Sequence, residues 1–461
     1  MLAAGALAPR PDAARAVPPS PQPTTSPPTM PATHLVTLDD RGCPHCLSTL
    51  RDYLPGLDPG LTALGAQEAL LAESTMRALE RAYGRRQRAA VLRQAGVLDS
   101  VPIGQAEALQ RLHDRDMAQL PVRTSAPGHR GWHLDEVNVR AAWAQHWGGP
   151  DTIDWGGVKV GQIDTGYTRH PVFGFGAGQP WLDVAAGRTF FAPGANGGTD
   201  GPGQGVDPLA GPMDGHGTRI ASVICGHDPA APGGPYLGIA PRVPLVPVRI
   251  ADVVLISHAQ RELAQALRYL VHDARVSVIN LSMGFLPRTQ IKVLDKAIDE
   301  AYEAGVILVC AAGQPLRHVV SPAHGRRTIA AAGSTLGSVP WGKSAYGPAV
   351  DWAAPADHIH RAETRRPATP AYAGSGDGTS YATAITTGAA ALWLARHAAS
   401  LPASYPQAWQ RIEAFKAVAK ASARPMPHQQ PGAFGAGVLD IAALLNRALP
   451  AAGTLAPEAA A

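Results

Sequence analysis

Three short stretches place a carboxylate, an imidazole and a hydroxyl beside glycines: IDTG at 163–166, DGHGTRIASVICG at 214–226, and GSGDGTSYATAITTGAAALWLA at 374–395. Asp164 closes an apolar run just before a Gly turn. His216 stands between two glycines ahead of a run of small residues, which leaves both ring nitrogens reachable, as a general base between an acid and a hydroxyl requires. Ser380 follows Gly378 and Thr379 and opens a segment that is apolar nearly all round. A hydroxyl held at a buried helix start lies among free N–H groups and the positive end of the helix dipole, which stabilise a developing oxyanion. Each has an ordinary explanation when taken singly: a strand-ending Asp, an exposed His at a helix start, a Ser cap. Together they supply an orienting acid, a base and a nucleophile for acyl transfer.

A fourth stretch, VILVCAAGQPL at 306–316, reads as a buried strand that ends in Ala311, Ala312 and Gly313 and then in the polar Gln314, held before Pro315. The elements that must position these residues alternate along the chain from about Trp132. Apolar runs at 158–164, 243–250, 276–284, 306–313 and 327–333 are separated by helical patterns beginning near 217 and spanning 257–272 and 289–304. Short apolar strands separated by amphipathic helices imply parallel βαβ units with helices on both sheet faces. In such sheets, sites lie where strands end and helices begin. Residues 174–213 break the pattern and read as a glycine-rich surface insertion.

The order Asp164, His216, Ser380 resembles the subtilisin-like serine proteases, the subtilases. VKVGQIDTG, HGTRIASV, LGIAPRVPLVPVRI, VSVINLSMG, ILVCAAGQ, SPAHGRRTIAAAGS, SAYGPAVDWAAP and the stretch 433–445 look like that family's blocks in that family's order. The resemblance covers about 132–447. It implies a three-layer α/β subtilisin-like fold with a parallel central sheet, and a serine endopeptidase in which His216 takes the proton of Ser380 while Asp164 orients the imidazole. An extended protein or peptide substrate would lie between Ser282-Met283-Gly284 and Ala311-Ala312-Gly313, adding itself as a strand. The single D-T-G also matches aspartic proteases, but those need a second such loop.

Gln314 stands where this family normally has the Asn that donates to the oxyanion. The longer side chain moves the amide by roughly 1.5 Å, against a catalytic tolerance of about 0.5 Å. That departure opens a second reading, a weakly active or inactive subtilase fold that binds peptides. Arg219 stands where the family often has a second His, and Ala384 where Pro often follows. No calcium loop carries over, so no metal and no cofactor is expected.

The rest of the chain is less specific. A net charge of +4 from 40 basic and 36 acidic residues, without a basic stripe, excludes a nucleic-acid partner. No run reaches the roughly 18 to 20 apolar residues of a membrane helix, so no membrane partner is expected. The opening apolar run is too short for a secretory signal, which favours a cytoplasmic over a secreted protein. Gly and Pro make up about a fifth of the residues. Residues 1–29 are expected to be a disordered Pro/Ala-rich tail and 448–461 another. Residues 30–130 are expected to form a mostly helical region with a linker, a prodomain-like inhibitor or a regulatory domain, although the mixed α/β pattern usual for subtilase prodomains is not evident. Within it Cys43 and Cys46 form C-x-x-C between a strand and a helix, the local setting of a redox pair or of two metal ligands. Cys225 and Cys310 read as core residues.

Overall fold

The computed structural model describes residues 32–102 and 129–460, with breaks at 40, 60, 64–67, 177, 191–203, 287–289, 315–317, 365–369, 428 and 430–431. Residues 1–29 lie outside the described residues, as does most of the 119–131 linker.

The larger body is built on one sheet. Its strand order is Val339–Pro340, Ile329–Thr335, Ile307–Ala311, Val278–Leu281, Val160–Asp164, Leu245–Arg249 and Arg188–Thr189, and Trp352–Pro355 also pairs with Ile329–Thr335. All pairings are parallel except that of Val339–Pro340. Successive residues of a strand point to opposite faces, so Val278, Ile307 and Val309 enter one core while Ile279, Leu308 and Cys310 enter the other. The helices His216–Cys225 and Thr379–His397 pack in the first core, and Gln260–Arg268 and Lys292–Glu303 in the second. This is the expected three-layer arrangement, with both sheet faces covered. Cys225 and Cys310 are fully buried within it, and burial pushes both thiols up.

The first strand of this body, Val160–Asp164, lies in the middle of the sheet. The chain adds Leu245–Arg249 on one side of it and Val278–Leu281 on the other. Strand order therefore reverses at Asp164, and a crevice opens beyond the carboxyl end of that strand.

Residues 32–102 form a separate small unit with its own core of Val36, Leu38, Leu50, Leu71, Met76, Leu79 and Val91. The expected helices are present as Gly42–Tyr53 and Glu73–Gln94, but they accompany a four-stranded antiparallel sheet in the order Thr62–Ala63, Glu68–Ala72, Ala32–Leu38, Val97–Pro102. The region is mixed α/β rather than mostly helical. The strand Glu68–Ala72 reads EALLA, residues of high helix propensity that run straight into the helix beginning at Glu73. Pairing with a neighbour on each side outweighs that propensity.

The C-terminal segment differs from expectation too. Instead of a loose tail, residues 448–460 follow the body's surface. The Arg327 guanidinium donates to the carbonyl oxygens of Glu458 and Ala459, and the Glu458 N–H donates to the Tyr302 hydroxyl at 2.9 Å. Lys416, itself buried, reaches the Glu458 carboxylate at 3.5 Å. Fixed donors on the body give this polar stretch partners that composition alone does not reveal.

Candidate active site

Asp164 ends its strand with its side chain only 1 % exposed. Its Oδ1 accepts from the Thr165 N–H at 2.7 Å and faces His216 Nδ1 at 2.7 Å, while its Oδ2 is buried with no hydrogen-bond partner among the described residues. That contact holds His216 with its Nδ1 toward the acid and its Nε2 directed elsewhere, the orientation a base needs. The turn ahead of the helix requires glycine. Gly215 has φ +72, and a Cβ on Gly217 would overlap the Gly166 carbonyl oxygen. The sequence G-H-G is therefore set by backbone approach as well as by access to the imidazole.

A carboxylate that the sequence reading passed over braces this pair. Asp207, in the glycine-rich insertion, is buried. Its Oδ2 accepts from the Thr165 hydroxyl at 2.9 Å and from the Gly215 N–H at 2.8 Å, and its Oδ1 accepts from the Leu209 N–H. Thr165 Oγ1 in turn accepts from the Gly217 N–H at 3.1 Å. Asp207 thus ties the residue after Asp164 to the residue before His216. Burial pushes its carboxyl up, against the opposing pull of those donors and of the nearby Arg249 charge. Arg249 is itself deeply buried, and desolvation lowers its pKa.

Ser380 is the second residue of the helix Thr379–His397, where first-turn N–H groups have no intrahelical acceptor. Its hydroxyl donates to the Ser282 carbonyl oxygen at 3.2 Å, and the Ser282 hydroxyl donates to the Ser380 carbonyl oxygen at 3.1 Å. Asn280 fixes Ser282 from behind: its Nδ2 donates to Ser282 Oγ, and its Oδ1 accepts from the Thr387 hydroxyl of the same helix. Among the described residues the Ser380 hydroxyl makes no hydrogen bond to His216. Burial raises the pKa of Tyr381, the next residue, against the nearby positive charge of Arg361.

Gln314 folds back over the residues ahead of Ser380. Its Oε1 accepts from the Thr379 N–H at 2.6 Å and from the Thr379 hydroxyl at 2.8 Å. Its Nε2 lies 3.0 Å from where a Cβ on Gly378 would be. The Gly313 N–H donates to Thr379 Oγ1 at 3.2 Å. The segment Ala311–Ala312–Gly313 is thereby fastened to the start of the Ser380 helix from one side as Ser282–Met283–Gly284 is from the other. Sequence reasoning missed Thr379, Asn280 and Asp207. The last two had no signal beyond being polar in apolar or glycine-rich text.

Arg219 pairs with Glu363 at 3.0 Å, and Arg361 pairs with the same carboxylate at 2.9 Å, so the His216 helix is clamped to the strand Ile359–Glu363. Among the described residues one set of side chains, Asp357, His358 and Asp377, brings three ligand-type atoms within 4.8 Å of one another. The Lys343 ammonium already stands 3.7 Å from Asp377 there, and the His358 N–H donates to Asp377 Oδ1, so this set is a local ion-pair cluster. Cys46 is fully buried in the small unit's core, and the side chain of Cys43 lies outside the described residues. Among the described residues no helix is long and apolar enough to cross a membrane.

A parallel sheet with a reversal at Asp164, an Asp–His contact beside it and a helix-start serine opposite are the features of a subtilase. Residues 156–437, more than half of the chain, match the model of the Subtilase family, and the chain belongs to that family. It is similar to a thermostable alkaline protease of Halalkalibacterium halodurans, 28% identical over 242 residues that cover 52% of this chain and 58% of that protein. It is also similar to an extracellular serine proteinase of Thermus sp., 33% identical over 199 residues that cover 42% of this chain and 45% of that one. The chain spans about half the length of the curated relatives it matches. Among solved structures, a protease of Pseudoalteromonas arctica shares the fold with a TM-score of 0.54 at 22% identity, over 68% of this chain and 96% of that chain.

Proposed function

We propose that the protein is a serine endopeptidase in which Ser380 attacks the peptide carbonyl, His216 takes its proton and later gives it to the leaving amine, and Asp164 holds the imidazole. The observation that carries this reading is the buried Asp164–His216 contact at 2.7 Å, set at the sheet's reversal point beside a helix-start serine. The extended substrate lies between Ser282-Met283-Gly284 and Ala311-Ala312-Gly313. The Ser380 N–H and Gln314 Nε2 are the donors to the oxyanion; Thr379 takes up the oxygen end of the Gln314 amide and leaves its nitrogen end for that role. A fluorophosphonate should form one adduct, on Ser380, visible by intact mass. A chain that stays unlabelled both whole and after cleavage in the 119–131 linker defeats the proposal.

The Ser380 hydroxyl's bond to the Ser282 carbonyl favours a second reading, a peptide-binding subtilase that does not turn over. Tight peptide binding that survives Ser380→Ala, with no hydrolysis even by Gln314→Asn, would support it over the first.

The small N-terminal unit acts on this reading as an intramolecular inhibitor. Its last strand, Val97–Pro102, lies against the turn Ser257–Ala259. That turn continues directly from Leu255, which bridges Gly284 of the substrate wall, and the Ile256 N–H donates to the Gly284 carbonyl oxygen. The chain leaving this strand therefore starts beside the groove. Cutting the linker should raise the labelling rate of Ser380.

A further inference from the structure

The two walls assigned to the substrate do not leave an open slot between them. The segment Val319–Ser321 runs across the gap. The Val320 N–H donates to the Ala312 carbonyl oxygen at 2.9 Å, and Phe285 and Ser321 exchange both backbone hydrogen bonds, at 2.9 and 2.8 Å, just past Gly284. Val320 is thus fastened to one wall by its own N–H and held beside the other through its neighbour Ser321, and the residue, 5% exposed, stands between the two glycines. A Cβ on Gly284 would come within 2.6 Å of one Val320 methyl, and a Cβ on Gly313 within 2.7 Å of the other. Each methyl therefore lies against one wall.

We propose that Val320 is a specificity-determining residue: it fills the deep end of the pocket for the side chain preceding the scissile bond and restricts cleavage to substrates with Gly, Ala or Ser there. This deepens the protease reading above and rests on its assignment of the two walls. The restriction is stiff because valine branches at Cβ. One χ1 rotation cannot clear both walls, since a methyl that leaves one glycine turns into the space of another group. A Leu or Met at 320, not branched at Cβ, could fold aside; Val cannot. The backbone bonds on both sides keep the floor from dropping. An aromatic or long aliphatic side chain entering the slot meets the methyls before its own apolar surface is buried, whereas an Ala methyl is accommodated above them. Interior groups packed at this density do not yield by a methyl's width without cost.

The test uses the full chain and succinyl-Ala-Ala-Pro-Xaa anilides. Wild type should show kcat/KM for Xaa = Ala at least 100-fold above Xaa = Phe. Val320→Gly should bring the two within about tenfold or invert them, and Val320→Ala should fall between. The fluorophosphonate labelling rate of Ser380, which does not use this pocket, should stay within about twofold in all three proteins and so shows that the variants are folded. Equal cleavage after Ala and Phe by wild type, or an unchanged ratio in Val320→Gly, overturns the proposal. Absence of label and turnover, both in the whole chain and after cleavage of the 119–131 linker, would defeat the protease reading alone. The pocket is then read by calorimetry on Ser380→Ala with peptides ending in Ala-Ala-Pro-Ala and Ala-Ala-Pro-Phe. The first should bind at least tenfold tighter, with the difference gone after adding Val320→Gly; equal binding overturns the proposal by this route as well.

Discussion

Asp164 and His216 meet at 2.7 Å with side chains 1 % and 8 % exposed, and Asp207 braces the two turns that carry them. Ser380 and Gln314 come from a different strand-helix pair and keep partners of their own, Ser282 for the one and Thr379 for the other. The Asp164–His216 half is thus held by buried bonds. On the proposed mechanism, the other half is held by bonds that chemistry must exchange: the Ser380 hydroxyl would leave the Ser282 carbonyl for His216. Catalytic hydrogen bonds that are long or misdirected in the empty enzyme and form on substrate binding are an ordinary feature of such sites. On that mechanism, the difference places the adjustable part of the site where the substrate carbonyl would arrive and the fixed part where proton affinity would be set.

The sharpest way to break this comparison is to remove the nucleophile. Ser380→Ala should lower kcat by about a millionfold, because members of a triad act as a unit, and leave peptide KM or Kd within a few-fold. Retained turnover in that variant, measured with a peptide anilide, would show that Ser380 is not the attacking group. Gln314→Ala should cost about 100- to 1,000-fold in kcat if the amide donates to the oxyanion, with little change in KM. Gln314→Asn tests the fold-back directly. The shorter side chain cannot keep both bonds to Thr379 while offering a donor in the same place, so gain of activity means the Gln geometry is the weaker one, and loss means the site is built around Gln.

Asp207 tests the other half. Asp207→Ala removes three acceptor contacts from buried donors at once, and a misplacement of the base by about 1 Å is worth up to 100-fold in rate. Turnover per labelled Ser380 should fall about 10- to 100-fold with KM nearly unchanged, and Asp207→Asn should recover part of it. A residue that only stabilised the fold would lower Tm and the labelled fraction but leave turnover per labelled site intact.

The sheet was legible in the sequence because its strands are buried on both faces and so read as continuous apolar runs, such as VSVINLSMG and VILVCAAG. The order and spacing of Asp164, His216 and Ser380 were legible because backbone approach demands the glycines around them. Asp207 was not, since it acts from within a glycine-rich loop whose path depends on tertiary contacts. Nor was Val320: one Val in HVVSP looks like any other until the two glycines it touches are brought beside it from residues 284 and 313. The small N-terminal sheet was hidden for a different reason. Helix-forming residues occupy its strand Glu68–Ala72, and only pairing to Ala32–Leu38 makes them extended.

The smallest expected effect bears on how loosely the nucleophile half is held. Thr379 Oγ1 accepts from the Gly313 N–H and donates to Gln314 Oε1, so one hydroxyl joins Gly313, Gln314 and the helix that carries Ser380. Thr379→Val keeps the shape and removes both bonds. A net hydrogen bond is worth about 0.5–1.5 kcal/mol, and the Thr379 backbone N–H still anchors the amide oxygen. The expected loss in kcat is therefore about threefold to tenfold, measured against wild type with the same anilide. A loss as large as that of Gln314→Ala would mean that the hydroxyl itself positions the donor. In that case the nucleophile half is as rigidly built as the acid–base half, and the contrast between them disappears.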